Sequence, residues 1–98
     1  MTPEQLMKAG NDGGYAHIPL QPHYADYATE EVISHLLDSL NELTPTCDLC
    51  AVYYEDGSGD VVCEAHGETL FAFGDEFMLY RRLMYAISVA VRIKNGLE

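Results

Sequence analysis

Apolar positions recur with a helical period in two long segments of the chain. Between Thr29 and Pro45 they fall every three or four residues, which predicts a helix with one apolar face. Thr29 is suited to cap the start of this helix, and Pro45 prevents its continuation. A second helix is predicted from about Glu76 to Lys94, where apolar residues cover more than one stripe. Such a helix is either central to the fold or partly buried against another chain.

Three shorter apolar runs predict strands at residues 51–54, 61–63 and 69–73. The first two flank residues 55–60, whose sequence Glu-Asp-Gly-Ser-Gly-Asp is rich in turn formers. Strands joined by short turns pair antiparallel. The pattern therefore predicts one α+β domain over residues 1–98, with a small three-stranded antiparallel sheet packed against two main helices.

The N-terminal part of the chain carries weaker signals. Thr2, Pro3 and Gln5 form a capping box that starts a helix, and the glycines among residues 10–14 predict that this helix is short. Residues 15–28 show neither a helical nor a strand period and are predicted to form an irregular loop. That loop is expected to dock through its larger apolar side chains, Tyr15, Ile18, Leu20, Tyr24 and Tyr27.

Three cysteines and one histidine form two pairs of matching spacing. Cys47 and Cys50 make the first pair, and Cys63 and His66 make the second, with twelve residues between the pairs. Each pair can place two ligands on one tight turn, and a hairpin over residues 47–66 can bring the turns together. Four such ligands are what a structural zinc ion requires. Thiolate and imidazole also suit zinc better than calcium or magnesium.

The fourth ligand has alternatives. His17, His23 or His35 could replace His66, and a water molecule in that position would make the site catalytic rather than structural. The cysteines could also be ordinary buried thiols. An odd number of cysteines cannot all form disulfides within the chain, and closely spaced cysteines in a reducing compartment are more often metal ligands.

The two matched pairs resemble the zinc ribbon, a family of small β-hairpin modules. The resemblance covers residues 47–66 and rests on the ligand spacing, with Gly67 directly after His66. It implies a structural zinc ion held by the paired ligands. It also implies a role in transcription, nucleic-acid binding or protein assembly, since ribbons serve in all three.

The chain is strongly acidic, and its few basic residues are unevenly distributed. The formal net charge is −11, and the 72 residues from Ala9 to Tyr80 contain fourteen Asp or Glu residues and no Lys or Arg. Such a block repels nucleic-acid phosphates and anionic lipid and attracts cationic surfaces. The simpler interpretation is that the acidity keeps a small protein soluble.

A candidate binding surface is predicted where two tyrosines adjoin acidic residues. Tyr53 and Tyr54 directly precede Glu55 and Asp56, with Asp60 close behind. Adjacent residues of a strand point to opposite sides, so at least one of the two tyrosines should be exposed. Tyrosine is enriched at protein interfaces, and these five residues are the predicted partner-binding set.

Several classes of protein are disfavoured. The chain lacks the metalloprotease, phosphate-loop and serine-hydrolase motifs, so we expect no enzyme. It has no apolar run long enough to cross a membrane and no signal-like N-terminus, so we expect a cytoplasmic protein.

The sequence favours a zinc-stabilised acidic module that binds a basic protein surface, such as that of a nucleic-acid-binding complex. In general character it resembles the phage-encoded inhibitors of bacterial defence, including anti-CRISPR proteins and DNA mimics. The alternative is a zinc-ribbon accessory factor that joins a partner or a second copy through the long helix. Direct nucleic-acid binding is disfavoured because only four basic residues cluster near the C-terminus: Arg81, Arg82, Arg92 and Lys94.

Overall fold

The structure is a computed structural model that describes residues 1–14 and 29–96. In this part of the chain the helices are α1 (Pro3–Gly13), α2 (Glu30–Leu43) and α3 (Glu76–Lys94). The strands are β1 (Leu49–Tyr53), β2 (Gly59–Cys63) and β3 (Glu68–Phe73). They form one antiparallel sheet in the order β1-β2-β3, which confirms the predicted α+β class. The predicted loop over residues 15–28 lies outside the described residues.

Side-chain caps start all three helices at the predicted places. The Thr2 hydroxyl accepts from the Gln5 backbone N–H at 3.2 Å, while the Gln5 side chain accepts from the Thr2 backbone N–H at 2.8 Å. Thr29 caps α2, and the Asp75 carboxylate caps α3 by accepting from the backbone N–H of Met78 at 2.7 Å. These local bonds satisfy donors that have no partner within the helix.

The prediction that α1 is short is wrong, because the helix continues through the glycines to Gly13. A β-carbon at Gly10 would overlap the ring of Phe71 on β3, and one at Gly13 would lie 2.9 Å from the β-carbon of Tyr85. Glycine costs roughly 0.5–1 kcal/mol in a helix relative to alanine. Here it permits close packing of α1 against the sheet and α3, so the glycines mark a contact rather than a helix end.

Two arginines of α3 bind the C-terminal end of α1. One Arg82 nitrogen, Nη1, donates to the carbonyls of Gly10 at 2.7 Å and Asn11 at 3.1 Å, and Arg81 Nε donates to the Gly13 carbonyl at 3.2 Å. The last turn of α1 has no basic residue of its own. The arginines supply the positive charge that stabilises a helix C-terminus. Because Arg82 is used in this contact, it is a poor candidate for binding nucleic acid.

Arg82→Gln is expected to lower the free energy of unfolding by about 1.5–3 kcal/mol, the usual contribution of hydrogen bonds to a charged group. Urea unfolding measures the loss. Lys94→Gln is the matched control, because Lys94 is exposed at the end of α3. Equal stability of the two variants would contradict the capping role of Arg82.

The core lies between one face of the sheet and the three helices. α3 contacts both α1 and α2, while α1 packs on β3 and α2 on β1. The residues of α3 that point into the core are Leu79, Leu83, Ala86 and Ala90. α3 is therefore central to the fold, which was the first of the two predicted alternatives. No helix within the described ranges is both long and apolar enough to cross a membrane.

Candidate metal centre

Cys47 is placed by a tight turn between α2 and β1. The backbone N–H of Cys47 donates to the Thr44 carbonyl at 3.0 Å, which closes a turn with Pro45 as its second residue. Thr44 is itself fully buried and donates its hydroxyl to the Leu40 carbonyl at 2.7 Å. The end of α2 and the turn are thus fixed together, and the Cys47 thiol is buried.

Cys63 and His66 lie on the turn that joins β2 to β3. Cys63 is the last residue of β2 and is fully buried, whereas the His66 ring is exposed. The backbone N–H of His66 donates to the Cys63 carbonyl at 3.3 Å, and Gly67 follows with a φ of +66°. That left-handed conformation suits glycine and lets the chain reverse directly after the histidine.

The ligand atoms of Cys47, Cys63 and His66 all lie within 4.8 Å of one another. The Cys63 sulfur is 3.0 Å from the Nδ1 atom of His66. A tetrahedral zinc ion with Zn–S of about 2.3 Å and Zn–N of about 2.0–2.1 Å separates its ligand atoms by roughly 3.5–3.8 Å. Small side-chain movements would therefore allow all three atoms to bind one ion, and two sulfurs with one imidazole nitrogen suit zinc chemically.

Hydrogen bonds prepare the Cys63 sulfur for a negative charge. Burial opposes the thiolate, but hydrogen bonds from His66, Cys47 and the backbone N–H groups of His66 and Asp48 outweigh it and lower the pKa of Cys63. Contact with Cys63 in turn raises the pKa of His66. Burial, and then the contact with Cys63, raises the pKa of Cys47 to about 11. A divalent cation would favour the thiolate forms of both cysteines and the neutral form of the imidazole, because it takes the place of their protons.

Cys50, the fourth predicted ligand, lies on the other face of the sheet from Cys63. β1 begins at Leu49, earlier than predicted, so Cys50 is within the strand and pairs with Val62, while Leu49 pairs with Cys63. Directly opposed residues share a face and neighbours along a strand alternate, so Cys50 and Cys63 point in opposite directions. The Cys50 thiol instead donates to the Glu64 carboxylate at 3.3 Å.

Of the alternative histidines, His35 is exposed on α2 and is not part of the Cys47–Cys63–His66 group. His17 and His23 lie outside the described residues. Glu64, the hydrogen-bond partner of Cys50, was not among the predicted site residues. Its place opposite Asp48 depends on the strand register, which the sequence alone does not give.

The predicted partner-binding residues lie together at the turn between β1 and β2. Tyr53 and Tyr54 are 45% and 54% exposed, and Glu55 is exposed beside them. The Tyr54 hydroxyl donates to the Asp60 carboxylate, and that hydrogen bond raises the pKa of Tyr54. The Asp56 carboxylate accepts from the Ser58 backbone N–H at 3.0 Å and from its hydroxyl, which lowers the pKa of Asp56. The turn is thus internally bonded and presents two aromatic rings among carboxylates.

No known protein family, curated protein or solved structure matches the chain, so the zinc-ribbon resemblance rests on the spacing of the ligands.

Proposed function

We propose that this chain is a zinc-stabilised acidic module that binds a basic protein surface, in the manner of an inhibitor of a nucleic-acid-binding protein. The observation that carries the proposal is the turn between β1 and β2, where Tyr53 and Tyr54 are exposed beside three carboxylates. Tyrosine contributes a large contact area with little loss of side-chain entropy. Carboxylates fixed around such rings favour a cationic partner and accelerate its association.

The proposed metal is a structural zinc ion bound by Cys47, Cys63 and His66, with Cys50 as the fourth ligand. Its role is to fix the two turns that flank the β1–β2 hairpin and so hold the acidic turn in one shape. A rigid binding surface loses less entropy on association, which increases affinity.

Recruitment of Cys50 requires a local rearrangement. To bind the same ion, its side chain would have to leave Glu64 and the start of β1 would have to open, which breaks two hydrogen bonds between the Asn41 side chain and the Leu49 backbone. Each contributes about 0.5–1.5 kcal/mol. Structural zinc sites supply roughly 10–16 kcal/mol in peptides over all their ligands, or about a quarter of that for each of four, which is of the same order as the bonds that must break.

Cys50→Ser is therefore expected to weaken zinc binding and to remove about a third of the thiolate-to-metal charge-transfer absorption of the cobalt-substituted protein, since one of three thiolates is lost. Thr46→Ser is a control at an exposed position of the same segment. An unchanged spectrum and zinc affinity for Cys50→Ser would exclude Cys50 from the metal shell.

Binding to the partner is expected to weaken steeply with salt and on neutralising the acidic turn. A partner captured on the immobilised zinc-loaded protein would be purified and its dissociation constant measured between low and high salt. The triple variant Glu55→Gln, Asp56→Asn and Asp60→Asn keeps the hydrogen-bonding shape of the turn and should bind at least about tenfold more weakly at low salt.

The matched control neutralises three exposed acids on the helices, Glu4, Glu31 and Glu42. It changes the net charge equally and should retain most of the affinity. Equal loss in both variants would indicate nonspecific attraction, and no loss in either would contradict the proposal. Competition by the partner's nucleic acid tests whether the module blocks that binding site.

A second candidate function, docking of a partner or second copy through α3, is favoured by two exposed apolar residues on that helix. Met84 and Val91 are 42% and 40% exposed and lie two helical turns apart. Sedimentation of the wild type and of Met84→Gln would reveal a dimer that uses this stripe. A monomer at all concentrations would remove the dimer version.

A further inference from the structure

β1 is an edge strand of the sheet, and its pairing with β2 shows which of its backbone groups face outward. The Glu64 N–H donates to the Asp48 carbonyl at 2.9 Å, and the Tyr54 N–H donates to the Ser58 carbonyl at 2.8 Å. Because hydrogen-bonded pairs alternate along an antiparallel ladder, the residues of β1 that point their N–H and C=O groups away from β2 are Leu49, Ala51 and Tyr53.

One of these three residues already has a partner. The Asn41 side chain accepts from the Leu49 N–H at 2.8 Å and donates to the Leu49 carbonyl at 3.2 Å, as a neighbouring strand would. The outward groups of Ala51 and Tyr53 pair with no other described residue. The edge of β1 is therefore closed at Leu49 and open over its second half.

A groove of about 240 Å³ runs along this open edge, between β1 and α2. Its apolar lining comes from Ile33 and Leu37 of α2 and from Ala51 and Tyr53 of β1. The charged residues that line it, Glu30 and Asp38, are both acidic. Burial and then the charges of Glu76 and Glu30 raise the pKa of Tyr53, because both carboxylates lie near this end of the groove.

We propose that the groove binds an extended basic segment of a partner protein, which pairs with the backbone of Ala51 and Tyr53 as an added strand. The inference rests on the proposed function and specifies how the module holds its partner. Main-chain hydrogen bonds supply affinity in such strand addition, and side-chain contacts supply specificity. Lysine or arginine on the added strand would meet Glu30 and Asp38 at the groove and Glu55 at the turn.

Charge selects this occupant over a second copy of the chain. Two copies that joined edge to edge would bring together chains with a net charge of −11 each. The chain also has no Lys or Arg between Ala9 and Tyr80 with which to neutralise the groove. A basic segment from another protein supplies the missing charge.

The test uses the full chain and a six-residue peptide of alternating lysine and valine. A second peptide of the same sequence is N-methylated throughout, so it keeps the charge but cannot donate backbone hydrogen bonds. We expect the methylated peptide to bind at least about tenfold more weakly. On binding of the unmodified peptide, amide exchange should slow at Ala51 and Tyr53 but not at Val52, whose N–H already faces β2.

Ala51→Pro removes one outward N–H at a position where an edge strand tolerates proline. This substitution should lower the affinity for the unmodified peptide and leave the affinity for the methylated peptide unchanged. Ala51→Ser keeps the N–H and should bind both peptides as the wild type does. Slow exchange at Ala51 and Tyr53 without any peptide would overturn the inference, because residues 15–28 or a second copy would then hold the edge.

The outcomes separate this inference from the proposed function. Strand addition is overturned if both peptides bind equally well. It is also overturned if neither peptide binds while binding of the partner still depends on the acidic turn. Both results leave the proposed acidic module intact. The proposed function itself is overturned if the affinity for the partner changes neither with salt nor on neutralising the acidic turn.

Discussion

Removal of zinc is expected to unfold the β1–β2 hairpin and to lower the thermal midpoint of the whole domain. Structural zinc contributes roughly 10–16 kcal/mol in peptides, which is comparable with the whole stability of a typical domain, about 5–15 kcal/mol. An ion held by Cys47, Cys63 and His66 would tie the turn before β1 to the turn after β2, so its loss would release both. Circular dichroism melting with and without a strong chelator measures the effect, and native mass spectrometry counts one zinc per chain.

His66→Gln should reproduce the effect of the chelator, because it removes the imidazole ligand. His35→Gln is its matched control, since both histidines are exposed and His35 lies away from the cysteines on α2. Three reactive thiols, no bound zinc and an unchanged melting curve for the wild type would refute the metal centre.

Acid should release the ion. Zinc binds the deprotonated ligands, and in the metal-free protein burial raises the pKa of Cys47 to about 11 while contact with Cys63 raises the pKa of His66. Lowering the pH therefore strengthens the competition of protons with the metal. The affinity of the chain for zinc, measured by competition with a chromophoric chelator, should fall steadily from pH 8 to pH 6.

Gly10→Ala is expected to destabilise the protein by about 1–3 kcal/mol, the usual cost of overpacking a core. In an exposed helix the same change would stabilise by roughly 0.5–1 kcal/mol. The sign reverses because the new β-carbon would overlap the ring of Phe71, which is itself buried at 3% exposure and cannot withdraw to the surface. Urea unfolding of the variant gives the change in the free energy of unfolding.

Gly74→Ala is the control for this substitution. Gly74 has a backbone conformation open to other residues and no atom within 4 Å of the position of an added β-carbon. It should leave stability unchanged or slightly increased. A Gly10→Ala variant as stable as Gly74→Ala would show that α1 does not pack closely against β3.

The local elements of the fold could be predicted because their signals are local. Thr2, Thr29 and Asp75 each cap a helix within three residues of themselves, so neighbouring residues carry the whole interaction. The end of α1 could not be predicted in the same way. Gly10 is ordinarily a helix breaker, and only the contact with Phe71, sixty-one positions along the chain, explains why the helix continues through it.

The candidate metal site could likewise be predicted only in part. Spacing identified Cys63 and His66 as neighbours, because a short turn brings a residue and its third neighbour together, whereas Cys47 joins them through the pairing of Leu49 with Cys63. The same rule placed Cys50 with Cys47, but β1 already begins at Leu49, and the alternation of a strand turns the Cys50 thiol to the opposite face. Strand register depends on pairing with β2, and pairing is a property of two segments.

The sequence by itself determined the α+β class, the caps of α1 and α2, the neighbouring Cys63 and His66, and the acidic charge, since each is set by composition or by residues a few positions apart. Only the tertiary structure decided that Arg82 caps α1, that Cys50 meets Glu64, and that β1 is an edge strand with Asn41 closing one end. Each of these joins two different elements of the fold. Their contacts arise from strand pairing and from the packing of the helices on each other and on the sheet, which short-range patterns do not encode.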